Sequence, residues 1–424
     1  MSELPRLLTI MGSGETSPTH SKTHRDLLAR LGPKPVPAVL LDTPVGFQAN
    51  AEQLSAKAVE YFRVSVQAEI EVATWRSADV DALTTETMLT RLRQARYVFA
   101  GPGSPTYALR QWDRSQVPAV LAEKLATGGA VTFASAAALT LGVATVPVYE
   151  IYKVGAEPRW VPGLDLLSAA GISAAVIPHY DNAEGQNHDT RYCYLGEARL
   201  ARLEDQLPDG AFVLGVDEHT AVVFDLGAGS ATVVGLGGLT VRAHGRSTVH
   251  PSGTTVAIEA LLAESRDGGS GSAPAPVPVA PIEDDAGVGS GEPGGSPLIL
   301  DVRRLETTFE AALEARDVPA AVAAVLELDD LVVAWSGDTA QSDEADQARS
   351  ALRGMVVRLG DVAEVGASDP AERVRPFVSS LLAVRERARA AKDFATADTV
   401  RDELVAAGIE LRDTPQGTTW HLLP

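Results

Sequence analysis

Apolar residues follow two different rhythms along this chain. Up to about residue 262, short and almost wholly apolar runs alternate with segments of helical spacing. The runs at residues 7–11, 36–41, 97–100, 130–133 and 174–177 have the pattern of strands buried on both faces. Separated by amphipathic segments, they predict a parallel sheet covered by helices on both sides. Residues 213–216, 221–225 and 231–236 follow one another closely and predict an antiparallel extension. From residue 298 the period becomes 3.6, with Leu305, Phe309 and Leu313, then Val322, Leu326, Leu328 and Leu331, which predicts a helix-rich region.

Between the two rhythms, residues 265–297 are rich in Gly, Ser and Pro and carry no apolar periodicity. Such a stretch cannot bury enough surface to offset its ordering entropy, so it predicts a disordered linker. The division predicted is an α/β domain over 1–264, the linker over 265–297, a helical bundle over 298–366 and a small α+β domain over 367–424.

Composition narrows the chemistry. The chain has 424 residues, 45% of them hydrophobic, and a net charge of −20. That charge opposes nonspecific binding to a polyanion but leaves room for a small, shaped RNA site. The single cysteine, Cys193, excludes an intramolecular disulfide and any zinc site built on several thiolates, and it reads as a partly buried free thiol. No metal or organic cofactor is expected. The first residues, Met-Ser-Glu-Leu-Pro-Arg, do not read as a secretory leader, which predicts a cytoplasmic protein.

Candidate chemistry gathers where predicted strands end, the edge at which open α/β sheets bind ligands. Gly12-Ser13-Gly14-Glu15 follows the first strand, and Gly101-Pro102-Gly103-Ser104-Pro105 follows the third. Ser135 sits between the fourth strand and an Ala-rich helix start, the layout of a nucleophile elbow. The N–H of Ala136 would then face a developing oxyanion. His20, His24 and His188 read as solvated loop residues.

These segments together resemble the dipeptidase E and cyanophycinase family of serine peptidases, over roughly residues 7–262. The resemblance implies the class I glutamine-amidotransferase-like (flavodoxin-like) fold. It rests on the loop from Gly101 to Pro105, on Gly128-Gly129 leading to Ser135, on Ile177-Pro178-His179-Tyr180, and on the acidic segment Gly215-Val216-Asp217-Glu218-His219. It implies Ser135 as nucleophile, His179 as general base and the amides of Gly103 and Ala136 as oxyanion donors. The acidic partner is Glu150, which follows Ser135 by 15 positions as in the dipeptidase branch, or Glu218, which matches the cyanophycinase-like segment. Glu15, Arg159 and Arg191 are candidates for substrate binding, and Arg199, like the other two arginines, could hold an acidic substrate group. The chain departs from the family's glycines at Phe133 and Ala137. Phe133 is therefore expected to shape the pocket, so that Phe133→Gly would broaden activity.

The end of the chain carries a second resemblance. The run from Arg385 through Lys392-Asp393-Phe394 and Arg401-Asp402-Glu403-Leu404 to Trp420 predicts two helices around a turn, a helix end at Gly408 and a short hairpin. It closely resembles the C-terminal anticodon-binding region of cysteinyl-tRNA synthetases, and residues 298–365 resemble the preceding bundle more loosely. The resemblance implies contacts to anticodon bases by Arg389, Phe394, Asp398 and Asp413. From Arg385 to Arg412 six basic residues face six acidic ones, so the segment has no basic stripe. Neither an ATP signature of the synthetase type nor its zinc thiolates are found, which excludes cysteine–tRNA ligation by the residues present. The function expected is a serine hydrolase for a peptide or acyl substrate, fused to a module for cysteine tRNA. The alternative is an inactive adaptor that uses both modules for recognition.

Overall fold

The computed structural model describes residues 4–183, 188–267, 297–335, 342–367, 370–414 and 417–423. Most of the predicted linker, residues 268–296, lies outside them. Residues 265–267 close a helix, Ile258–Asp267, and Pro297 opens another, Pro297–Glu314, so the predicted linker boundaries were too wide at both ends.

The chain forms two compact units, Met1–Arg304 with Glu327–Arg349, and Leu305–Leu326 with Ser350–Pro424. In the first unit the strands are β1 (Arg6–Met11), β2 (Ala38–Leu41), β3 (Glu71–Ala73), β4 (Tyr97–Ala100), β5 (Gly129–Ala134), β6 (Ala144–Thr145), β7 (Val161–Pro162), β8 (Ala174–Ile177), β9 (Phe212–Val216), β10 (Thr220–Asp225), β11 (Ser230–Gly235), β12 (Gly238–Ala243), β13 (Arg246–Pro251) and β14 (Thr255–Ala257). The α-helices up to residue 367 are α1 (Pro18–Arg30), α2 (Ala51–Tyr61), α3 (Ala82–Gln94), α4 (Pro105–Trp112), α5 (Val117–Thr127), α6 (Ser135–Leu139), α7 (Val148–Tyr152), α8 (Gly196–Glu204), α9 (Ile258–Asp267), α10 (Pro297–Glu314), α11 (Val318–Trp335) and α12 (Ser342–Ala367).

Two sheets result. The larger runs β14-β11-β10-β1-β5-β4-β2-β3, parallel from β1 to β3 and antiparallel through β10, β11 and β14. The smaller runs β13-β12-β9-β8-β6-β7. The sequence suggested that residues 174–177 join the main sheet and that 213–216 extend it together with 221–225. Instead both lie in the second sheet, where 213–216 pair antiparallel with β12. The two runs also pair with each other in parallel, Ile177 opposite Gly215. Closeness in sequence made 213–216 and 220–225 look like one hairpin, but the short turn at Asp217–His219 passes from one sheet to the other. That turn becomes part of the site.

The central strands are closed to water on both faces. Leu8, Ile10, Val98, Val131 and Phe133 are fully or almost fully buried in one cluster, and Leu7, Met11, Tyr97, Phe99 and Ala134 in the other. Phe133 has no exposed surface, and its ring lies 5.6 Å from that of Trp112. It fills the core instead of shaping a pocket, because strand alternation sends it to the opposite face from Ala134. Phe133→Ala should thus cost about 3–5 kcal/mol of stability. Chemical denaturation of the purified chain checks this, and unchanged stability with altered substrate range would restore the pocket role.

In the second unit α13 (Pro370–Ala390) and α14 (Phe394–Ala406) pack together, and the hairpin of β15 (Ile409–Thr414) and β16 (Gly417–Leu422) closes over them. The Asp393 side chain caps α14 by accepting from the Thr396 N–H, and Gly408 takes the left-handed conformation at its end (φ 79°). Val378, Leu404 and Ile409 form the buried centre, flanked by Trp420 and Leu422.

Candidate functional site

Three chain segments end at one edge of the first unit. Strand β5 delivers Ser135, β8 delivers His179 two residues past its end, and β9 delivers Glu218 two residues past its end. Parallel pairing of β8 and β9 puts the last two side by side. The Ser135 hydroxyl lies 2.9 Å from His179 Nε2, and His179 Nδ1 lies 2.8 Å from Glu218 Oε1. A carboxylate only accepts, so Nδ1 carries the hydrogen and Nε2 is left to accept from the serine. Ser135 and His179 both have left-handed backbones (φ 49° and 48°), the strained elbow that lifts the hydroxyl off the sheet.

Burial alone would push the Glu218 carboxyl up, but hydrogen bonds from His179 and Asn182 outweigh it and leave the group below its ordinary value. The carboxylate is thus ionised and ready to stabilise an imidazolium. Glu150, the other acidic candidate, is on α7 and accepts from the Thr106 hydroxyl at 2.7 Å, away from His179. Spacing from Ser135 had pointed to it first, but spacing carries no information on which loop meets the histidine.

The Gly-rich loop is fixed beside this trio. A Cβ on Gly103, at φ 137°, would fall 2.1 Å from the Pro44 carbonyl oxygen, so only glycine fits. Ser104 donates its N–H to Pro44 and caps α4 by accepting from the Tyr107 N–H. Ala137 N–H donates to the Gly101 carbonyl at 3.2 Å, tying α6 to the same loop. The Ala136 N–H, in the first turn of α6, has no carbonyl one turn back within that helix. Ala137 itself is fully buried.

A tight turn backs the histidine. Tyr192, Cys193 and Tyr194 are all left-handed, with φ of 61°, 55° and 65°. Cys193 N–H donates to the His179 carbonyl and Tyr192 N–H to the Tyr180 carbonyl. The Tyr180 ring lies over Gly215, where a Cβ would be 2.3 Å from it. Cys193 is buried, more fully than expected, and burial pushes its thiol up to about 12.

The other substrate-binding candidates fare unequally. Glu15 has no exposed surface and lies beneath Gly101, so it does not meet a ligand in this conformation. Arg159 is exposed. The Arg191 fork is taken by Asp189, with two contacts of 2.8 Å. Arg199 donates to the Leu195 carbonyl. His20 and His24 are not solvated: Pro18 starts α1 instead of prolonging a loop, and both rings are fully buried on that helix. His24 Nε2 donates to the Glu15 carbonyl, and its Nδ1 accepts from the Tyr97 hydroxyl, both at 2.7 Å. His188 is exposed and stacks on Tyr152.

Sequence reasoning missed Asp181, Asn182 and Asp217. All three adjoin residues it had singled out, which was the available signal. Asp217 is pushed up to about 7 by burial and by Asp181. Among the described residues no group of three or more His, Cys, Asp or Glu side chains could hold a metal ion, and no helix is long and apolar enough to cross a membrane.

In the second unit, Phe394 and Asp398 lie one turn apart on α14, both exposed. Asp413 is differently placed. Its two oxygens accept from both terminal nitrogens of Arg385 at 2.9 Å, from Arg389 at 3.0 Å and from Thr418 at 2.7 Å. A carboxylate has about four acceptor positions, so Asp413 is filled by the protein and holds Arg389 in place instead of reading a base.

Residues 374–420 match the cysteinyl-tRNA ligase anticodon binding domain. The tail therefore has a known relative. A cysteine–tRNA ligase of Nitratidesulfovibrio vulgaris (strain DP4) is 61% identical over 46 residues, 11% of this chain and 10% of that protein. The cysteine–tRNA ligase of Beutenbergia cavernae is 31% identical over 255 residues, 58% of this chain and 50% of its own length. The chain thus spans between about a tenth and a half of the curated relatives it matches. Among solved structures, a peptidase from an acI-B1 Actinobacterium aligns with 60% of this chain and 98% of its own, at 18% identity and a TM-score of 0.48.

Proposed function

We propose that the first unit is a serine-type acyl hydrolase of the cytoplasm, acting on a peptide or an aminoacyl ester through an acyl-enzyme on Ser135, and that the second unit binds tRNA. The observation that carries the hydrolase is the unbroken chain from Ser135 through His179 to Glu218. As Ser135 Oγ attacks the substrate carbonyl, its proton passes to His179 Nε2, and Glu218 stabilises the imidazolium. The negative charge that develops on the carbonyl oxygen meets the amides of Gly103 and Ala136. His179 then protonates the leaving group, and water, deprotonated by the same nitrogen, releases the acid. Every step uses groups of this chain and no cofactor.

A fluorophosphonate probe tests the reading, because an activated serine displaces its fluoride and becomes phosphonylated. Adduct mapped to Ser135 supports it; a chain that stays unlabelled and shows no hydrolysis of acyl esters favours an adaptor that binds without turnover.

The tRNA role rests on the matched tail and on the exposure of Arg389, Phe394 and Asp398. An exposed ring offers an unstacked base a contact of about 1–3 kcal/mol. Phe394→Ala should therefore weaken binding of the full chain to cysteine tRNA by roughly tenfold or more at fixed salt. A titration against an anticodon-swapped tRNA completes the test. Equal affinity for both tRNAs, unmoved by Phe394→Ala, would leave the tail a fold without a reading function. Cysteine–tRNA ligation is not proposed; the family model that matches is that of the anticodon binding domain, over residues 374–420.

A further inference from the structure

Glu218 is held by more than the histidine it serves. Its Oε1 accepts from His179 at 2.8 Å and also from the Asn182 amide at 3.0 Å. Its own N–H donates to Asp181 Oδ1 at 2.7 Å. Asp181 and Asn182 belong to the turn directly after His179, where Asn182 N–H donates back to the His179 carbonyl. Asn182 is fully buried, and the Thr190 hydroxyl donates to its carbonyl. One turn therefore supplies both the base and the groups that grip the base's partner. A glutamate has a broad terminal torsion, and such a torsion without a second hydrogen bond would let Oε1 swing off Nδ1.

We propose that Asn182 is a positioning residue, whose amide fixes the rotation of the Glu218 carboxylate so that it keeps His179 in the Nδ1–H tautomer. The inference rests on the Ser135–His179–Glu218 reading above. The residue type suits the charges around it. Glu218 faces His179, Asp181, Asp217 and His219. A lysine or arginine in place of Asn182 would cancel the negative charge that His179 needs, and a further carboxylate would repel it. A neutral amide donates a hydrogen bond and leaves the charge intact.

The test uses the full chain in three forms, wild type, Asn182→Ala and Asn182→Asp. Two readouts are taken: the far-downfield proton resonance of a strongly bonded His179 Nδ1–H, and the rate of Ser135 labelling by a fluorophosphonate against pH. In Asn182→Ala the resonance should broaden or vanish, and labelling should slow by about 10–100-fold, the range for losing a group that orients a functional histidine. Asn182→Asp has nearly the same shape. Its new carboxyl can donate while protonated, so labelling should fall as pH rises through that ionisation, a limb absent from wild type. A purely structural role would not create that limb, and the second variant keeps the test decisive if the first does not fold. Unchanged resonance and labelling in a folded Asn182→Ala, or an Asn182→Asp profile parallel to wild type, overturns the proposal while leaving the triad standing. Wild-type protein without labelling or the downfield resonance overturns the triad itself, and the proposal with it.

Discussion

Alanine at Ser135 should lower hydrolysis of any accepted acyl substrate by about 10⁴–10⁶-fold, and alanine at His179 should do nearly as much, if the proposed serine chemistry holds. Combining the two should add little, because the proposed mechanism makes the hydroxyl and the imidazole, 2.9 Å apart, one proton-transfer unit. Additive losses would mean that the two residues act separately. Glu218→Gln should also be severe, by up to about 10⁴-fold, since an amide can no longer hold the histidine tautomer by accepting alone. Glu150→Gln should change the rate by less than about tenfold, because that carboxylate is engaged by Thr106. Single-turnover kinetics on the five variants decides the assignment. A Glu150 variant as impaired as the Glu218 one would return the acidic role to α7.

Acid should unfold the first unit unusually early. Burial lowers His20 to about 3, with His24 and His219 adding to the effect. It lowers His24 to about 4, and His219 to about 4 despite the opposing pull of Glu218. Between about pH 6.5 and 4 the unfolded chain therefore takes up three protons that the folded chain refuses, and stability falls as pH falls. Asp217 works in the other direction. Raised to about 7, it keeps its proton in the folded state over the same window, while the unfolded chain has lost it. About two protons remain on balance, a slope of about 2.7 kcal/mol per pH unit. Hydrogen exchange of the β1 and β5 amides, followed from pH 7 to pH 5, reads this for the first unit alone. His20→Leu should flatten the slope by about one proton, and an equal slope in that variant would show that the buried ring does not set it.

How legible this was in the sequence depended on the kind of signal. Strands β1, β4, β5 and β8 stood out because burial on both faces leaves unbroken apolar runs, and the hairpin after Gly408 because turn chemistry is local. Which sheet a strand joins is not local, so the partners of 174–177 and 213–216 were misjudged. The same gap explains the acidic partner of His179. Ser135 and His179 were visible from the strand ends that carry them, whereas Glu218 could be preferred to Glu150 only once β8 and β9 were known to be neighbours. Phe133 showed the limit of motif logic. A departure from a family's glycine looked like a change in the pocket, but the side chain follows the alternation of its strand into the core. Asp413 showed it again, since neither periodicity nor motif reveals that Arg385, Arg389 and Thr418 already fill a carboxylate.

The left-handed turn behind the histidine has a practical consequence. Its middle residue is the chain's single cysteine, shut away from water and bonded through its amide to the His179 carbonyl. A thiol reagent can reach that sulfur only when the turn opens, so alkylation counts the moments at which the geometry around His179 is dismantled. The protein carries its own clock for the lifetime of its assembled site, with no other thiol to blur the reading.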